Sequence, residues 1–126
     1  MKTSYQIVIV GGGNAGISVA SQLLRKNNAL DIVIIDPAEK HYYQPAWTLV
    51  GAGIFDIRKT VRKQKDLIPK NVSWIKEKVE TFDPENNKVH CSGGKTIDYA
   101  YLIVCPGIQL DWAKIKGGKE TLAKTT

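Results

Sequence analysis

The apolar residues of this chain fall in short unbroken runs before they fall in any alternating pattern. Residues 5–10, YQIVIV, and 31–36, DIVIID, are rich in consecutive Val and Ile. Such runs suit strands covered on both faces, as in a parallel sheet between two layers. Between them, ISVASQLLRK (17–26) carries Ile17, Val19, Ala20, Leu23 and Leu24 at spacings expected of a helix packed on a sheet, and NNAL breaks the pattern. The order strand, helix, strand predicts a β-α-β unit with a right-handed crossover.

Downstream, IRKTVRKQKDLI (57–68) reads as a helix that Pro69 ends. VSWIKEKVETFD (72–83) reads as one strand running into a second, DPENN as a turn, KVHCS (88–92) as a strand and GGK as a tight turn. IDYAYLIVCPG (97–107) closes the series as a strand ending at a glycine. Short strands joined by turns predict a β-meander inserted into the parallel-sheet fold. The tail GGKETLAKTT is polar, and no helix is expected there.

The first strand runs directly into Gly11-x-Gly13-x-x-Gly16, and the helix opens from it. That context gives the glycine spacing its meaning. The first glycine makes a tight turn, the second lets backbone approach a pyrophosphate, and the third lets helix and strand pack closely. Asn14 and Ala15 would turn their N–H groups toward the anion at the positive end of the helix. Asp36 ends the second strand, about 20 residues past the motif, where a carboxylate accepts hydrogen bonds from ribose hydroxyls and repels a 2′-phosphate. A glycine turn that served packing alone would leave Asp36 unexplained. The pattern admits FAD or NAD. The fold expected is α/β: a Rossmann-like, dinucleotide-binding three-layer parallel sheet with a β-meander, incomplete at its C-terminus.

Composition sets the outer bounds. The 126 residues are 43% hydrophobic and 24% charged, enough for one globular domain. No apolar stretch approaches the roughly 18–20 residues of a membrane helix, and the N-terminus lacks a signal peptide's cleavage pattern. A cytoplasmic location follows as an expectation. The net charge of +6 and the pI near 9.3 owe much to RKTVRKQK (58–65), which reads first as a solvated basic face, then as a membrane-surface contact, and last as a nucleic-acid contact. Cys91 and Cys105 have no zinc spacing; Cys105 reads as a packed apolar residue and Cys91 as part of a polar turn. A reducing compartment argues against a disulfide between them.

VIVGGGNAG, the acidic end of DIVIID and TIDYAYLIVCPG together resemble the two-dinucleotide-binding flavoprotein superfamily. There a second motif ends Ala-Thr-Gly; here the ending is Cys105-Pro106-Gly107, so the glycine is kept and the Ala-Thr pair is not. HYYQPAWTLVGAG (41–53) and GIQLDW (107–112) narrow the similarity to sulfide:quinone oxidoreductases, particularly the branch with the mitochondrial enzyme. The resemblance covers Gln6 to about Lys116 and implies an FAD cofactor, with sulfide and quinone as substrates. It also implies a membrane surface as partner on the inner face; the cysteine spacing leaves no metal expected, and no nucleic-acid partner is expected. It makes residues 1–126 the N-terminal part of an FAD-binding domain. It sets Gln44 against the FAD and Val79 at the adenine edge, beside Gly11, Gly13, Asn14, Ala15, Gly16, Asp36 and Gly107. His41, Tyr42, Tyr43 and Trp47 would wall the flavin, or else form a structural aromatic cluster. The catalytic residues stay unknown, since the family's redox cysteines lie beyond the matching region. The chain alone is expected to bind FAD weakly and to be inactive. An NADH:quinone or other disulfide-type flavin oxidoreductase, or a non-catalytic nucleotide module, are the alternatives.

Overall fold

The computed structural model describes residues 2–121. A six-stranded sheet has the order β5-β2-β1-β8-β7-β6. Its parallel part comprises β1 (Ser4–Val10), β2 (Ile32–Ile35), β5 (Val72–Ile75) and residues 98–104 of β8 (Thr96–Val104). Register pairs Val8 with Val33 and with Leu102, so the apolar runs lie side by side at the centre. β6 (Val79–Asp83) and β7 (Lys88–Cys91) form the meander with the first half of β8.

The strand period of two divides the core cleanly. Val8, Val10, Val33 and Ile35 face the meander and pack with Val89, Cys91 and Ile97. Ile7, Ile9, Ile32 and Ile34 face α1 (Asn14–Lys26) and pack with Ala20, Ile17, Leu23 and Leu24. The unbroken Val and Ile runs are thus buried on both sides, each such side chain contributing about 1.5–3 kcal/mol. The result is the three-layer arrangement of meander, sheet and helix that the sequence predicts.

The structure corrects four sequence-based expectations. Residues 57–68 do not form a helix. Ile57–Thr60 make a 3-10 turn, Val61–Lys63 a short strand, β4, and Gln64–Asp66 another 3-10 turn. β4 pairs antiparallel with β3 (Lys40–Tyr42), His41 opposite Arg62. β-branched Val61 suits that extended pairing, opposite Tyr42. Second, VSWI and VETFD are both strands, but the first does not run on into the second: residues 76–78 carry the chain from one edge strand, β5, to the other, β6. Third, Cys91 flanks the turn, its carbonyl accepting from the Gly94 N–H at 2.9 Å, but its setting is not polar: it ends β7 and is 4% exposed in the core. Fourth, Gly118–Thr121 form a single helical turn, α3, where none was expected. The rest of the tail lies outside the described residues.

Candidate dinucleotide site

The N-terminus of α1 meets the C-terminal ends of β1 and β2, the position where open α/β sheets bind ligands. Gly11 has φ of +101°, and its N–H donates to the Ile35 carbonyl at 2.9 Å. A Cβ on Gly11 would lie 2.2 Å from the Cys105 carbonyl oxygen, and one on Gly16 would lie 1.9 Å from the Gly11 carbonyl oxygen. These two glycines serve close backbone packing. Gly13 differs: its Cβ position is open space, and it is the N-cap of α1 with extended backbone. No side chain caps this helix and its first turn has no acid, so its positive end is left uncompensated.

Asp36 is locked in place beside this end. Its carboxylate accepts from the Gly12 N–H at 2.5 Å and from the Ala38 N–H at 2.7 Å. Its backbone carbonyl accepts from the Trp74 indole N–H at 2.9 Å. Lys76 sits 4.7 Å over the Trp74 ring and pairs with Glu39 at 2.9 Å, which lowers the pKa of the exposed Glu39 carboxyl.

A trough of about 690 Å³ runs from this acid past the helix end to the end of β8. Gly12, Gly13, Asn14, Asp36, Gln44 and Gly107 line it, as do Tyr42, Tyr43 and Gln64. Gly107, at φ +77°, has open space around it. Of the nine residues singled out from the sequence, Gly13, Asn14, Asp36, Gln44 and Gly107 converge on the trough. Gly11 and Gly16 lie beneath it, and Ala15 is exposed on the first helical turn. Val79 stands apart, paired with Cys91 in the meander and packed against the core.

The aromatic segment is partly folded. β3, a 3-10 turn at Gln44–Ala46 and α2 (Trp47–Gly51) follow one another. Tyr42 and Trp47 meet edge to face at 6.3 Å, and both remain roughly half exposed. They form a wall, not a core. Thr60, 1% exposed, fixes that wall: its hydroxyl accepts from the Trp47 indole at 3.2 Å and donates to the Ile57 carbonyl at 2.7 Å. Sequence reading missed Thr60, Gln64 and Trp74. A lone Thr or Gln inside a basic run gives no periodic signal; Trp74 carried one, as a hydrogen-bonding aromatic in the strand beside Asp36.

The cysteines lie on opposite sides of the sheet, Cys91 in the meander cluster and Cys105 in the helix cluster, and both are free. Burial, then the Glu77 charge, pushes the Cys91 thiol pKa up; burial, then Asp36, pushes that of Cys105 up. Neither environment favours the thiolate that nucleophilic sulfur chemistry requires. Among the described residues there is no His, Cys, Asp and Glu cluster able to hold a metal. No described helix is long and apolar enough to cross a membrane.

Comparison with known proteins agrees with this geometry. The profile of the pyridine nucleotide-disulphide oxidoreductase family matches residues 5–126. The mitochondrial sulfide:quinone oxidoreductase of Dictyostelium discoideum is 54% identical over 98% of this chain, and that of Mus musculus 43% identical over 97%. The chain spans 28% and 27% of those two proteins' lengths. The X-ray structure of the sulfide:quinone oxidoreductase from Aquifex aeolicus superposes on 85% of the chain, and 25% of its own, with a TM-score of 0.75 at 31% identity. With a glycine loop, a strand-end acid and a meander-covered parallel sheet in place beside that match, this chain belongs to the pyridine nucleotide-disulphide oxidoreductase family of FAD-binding flavoproteins.

Proposed function

We propose that this chain is the N-terminal FAD-binding part of a sulfide:quinone oxidoreductase, which oxidises sulfide and passes two electrons through FAD to a quinone. The observation that carries the reading is the trough itself. It joins an uncompensated helix N-terminus, an open Gly13 and a fixed strand-end carboxylate, within a chain 54% identical to a relative of that name. The residues present fit the cofactor. The α1 amides at Asn14 and Ala15 would receive the pyrophosphate, and Asp36 the ribose hydroxyls. Each Asp36 oxygen accepts one backbone N–H and retains acceptor capacity for a hydroxyl. Gln44 and Gly107 would lie along the trough toward the ring system, and Tyr42 and Tyr43, which line it, would exclude water from it, with Trp47 backing Tyr42 from outside the lining. Val79 would meet the adenine edge only if that edge reaches beyond the trough lining.

Bound FAD would supply two-electron transfer between donor and acceptor. The chain's own residues would bind, orient and shield it; none is assigned to attack sulfide. The outer edge of β8 over residues 99–104 has no partner strand among the described residues, and Tyr101 and Val104 are 65% and 52% exposed there. That edge leaves room for a further strand of the same domain. Because quinones dissolve in lipid, the full-length protein would sit peripherally on a membrane; the inner face is the side that the family resemblance implies.

Anaerobic addition of sulfide to the full-length protein tests the reading. The flavin absorbance band is expected to bleach and to recover when a quinone is added. Bleaching by NADH with no response to sulfide would instead make this an NADH:quinone or other disulfide-type flavin oxidoreductase.

A further inference from the structure

Gln64 is 1% exposed, a buried amide in a run whose charged residues are solvent-facing. Its Nε2 donates to the Gly12 carbonyl at 2.5 Å. Its backbone N–H donates to the Glu39 carbonyl at 2.9 Å, and its own carbonyl accepts from Leu67 at 3.0 Å. The Gly12 peptide is therefore gripped from two sides, its N–H by Asp36 and its carbonyl by Gln64. The space where a Gly12 side chain would go is filled by the same amide: a Cβ there would lie 2.3 Å from Gln64 Nε2 and 3.1 Å from Asp36 Cβ. Gln64 also follows directly on β4, whose partner β3 leads into the tyrosines of the trough.

From this geometry we propose that Gln64 is a positioning residue that holds the glycine loop in the form that receives the dinucleotide, and docks the β3–β4 hairpin against it. The proposal rests on the cofactor reading for its functional consequence, but the contact is a property of this chain alone. The chemistry calls for a neutral donor. Gly12 is buried, so its carbonyl needs a partner, and a carboxylate at position 64 would offer none while adding a second negative charge beside Asp36. Lysine would carry a buried positive charge into the site.

Gln64→Met tests it in the full-length protein, because methionine keeps the length and fills the space without donating. Val89→Ala serves as control: Val89 is fully buried in the meander cluster and lies away from the trough. Both variants are compared well below their unfolding temperatures. Gln64→Met is expected to weaken FAD binding about tenfold, as loss of a buried hydrogen bond implies, and to speed amide hydrogen exchange locally at residues 11–14. Val89→Ala is expected to do neither. Equal affinity and equal local exchange in the two variants would overturn the proposal. If the unmutated protein holds no FAD while Gln64→Met still speeds exchange at residues 11–14, the cofactor reading fails and the positioning of the loop stands.

Discussion

Gly11→Ala is expected to destabilise the fold more than any conservative change on the protein surface. Two independent costs combine there. An alanine at φ +101° sits in backbone space that L side chains avoid, at about 1–3 kcal/mol. Its methyl group would also sit 2.2 Å from the Cys105 carbonyl oxygen, which is backbone and has no rotamer to escape into, adding about 1–3 kcal/mol of overpacking. A loss of roughly 2–6 kcal/mol is a large part of a small domain's total stability. The melting temperature should fall by more than about 10 °C. Gly53→Ala supplies the contrast. Gly53 also has positive φ, +72°, but its Cβ position is open, so only the conformational cost of about 1 kcal/mol applies. Equal thermal shifts for the two variants would show that the contact between Gly11 and the end of β8 is slack.

Gly13→Ala should give the opposite profile. The Gly13 backbone is extended, at φ −70° and ψ −167°, which any residue adopts, and nothing lies within 4 Å of the added methyl. The melting temperature is expected to stay near that of the unmutated protein. The methyl would, however, stand on the wall of the trough, where backbone must approach a pyrophosphate. Dinucleotide affinity is expected to fall by about 1–3 kcal/mol, or roughly five- to 150-fold. Titration with FAD against the unmutated protein measures it. An unchanged dissociation constant would move the phosphate away from Gly13 and leave the glycine spacing as packing alone.

The parts of this molecule that could be read from sequence are those where one local rule dominates. Unbroken Val and Ile runs have few solutions besides strands buried on both faces, so β1, β2 and the second half of β8 stood out, and the side chains of β1 and β2 divide between the two core clusters as expected. A glycine loop between a strand and a helix has a narrow meaning, and Asp36 at the end of β2 reinforces it. Where several weak signals compete, the reading failed. IRKTVRKQKDLI reads as a helix ended by Pro69, but pairing with Lys40–Tyr42 decides that segment, and such a partner is invisible to local sequence. The two edge strands β5 and β6 looked continuous because nothing in VSWIKEKVETFD marks that its halves lie on opposite sides of the sheet. Buried polar residues were the hardest to see. Thr60 and Gln64 matter through side-chain hydrogen bonds with Trp47 and Gly12, 13 and 52 positions away in sequence.

The basic run has a plainer reading in the structure. Arg58 forms a bidentate pair with Asp56 at the surface, Nε donating to Oδ1 at 3.0 Å and Nη2 to Oδ2 at 2.7 Å, which holds the Asp56 carboxyl pKa down to about 2. Arg62 donates to the Lys59 and Val61 carbonyls. Lys59, Lys63 and Lys65 are exposed. The run is a solvated face of the β3–β4 hairpin, and its buried amide is the uncharged Gln64.

The most direct test of the dinucleotide site is to purify the full-length protein, release its tightly bound nucleotide with denaturant, and identify and count it. FAD is expected, one per chain, with the bound fraction sharply reduced in Gly13→Ala while that variant remains folded. Release of FMN or of a 2′-phosphorylated dinucleotide, or FAD retained in full by Gly13→Ala, would contradict it.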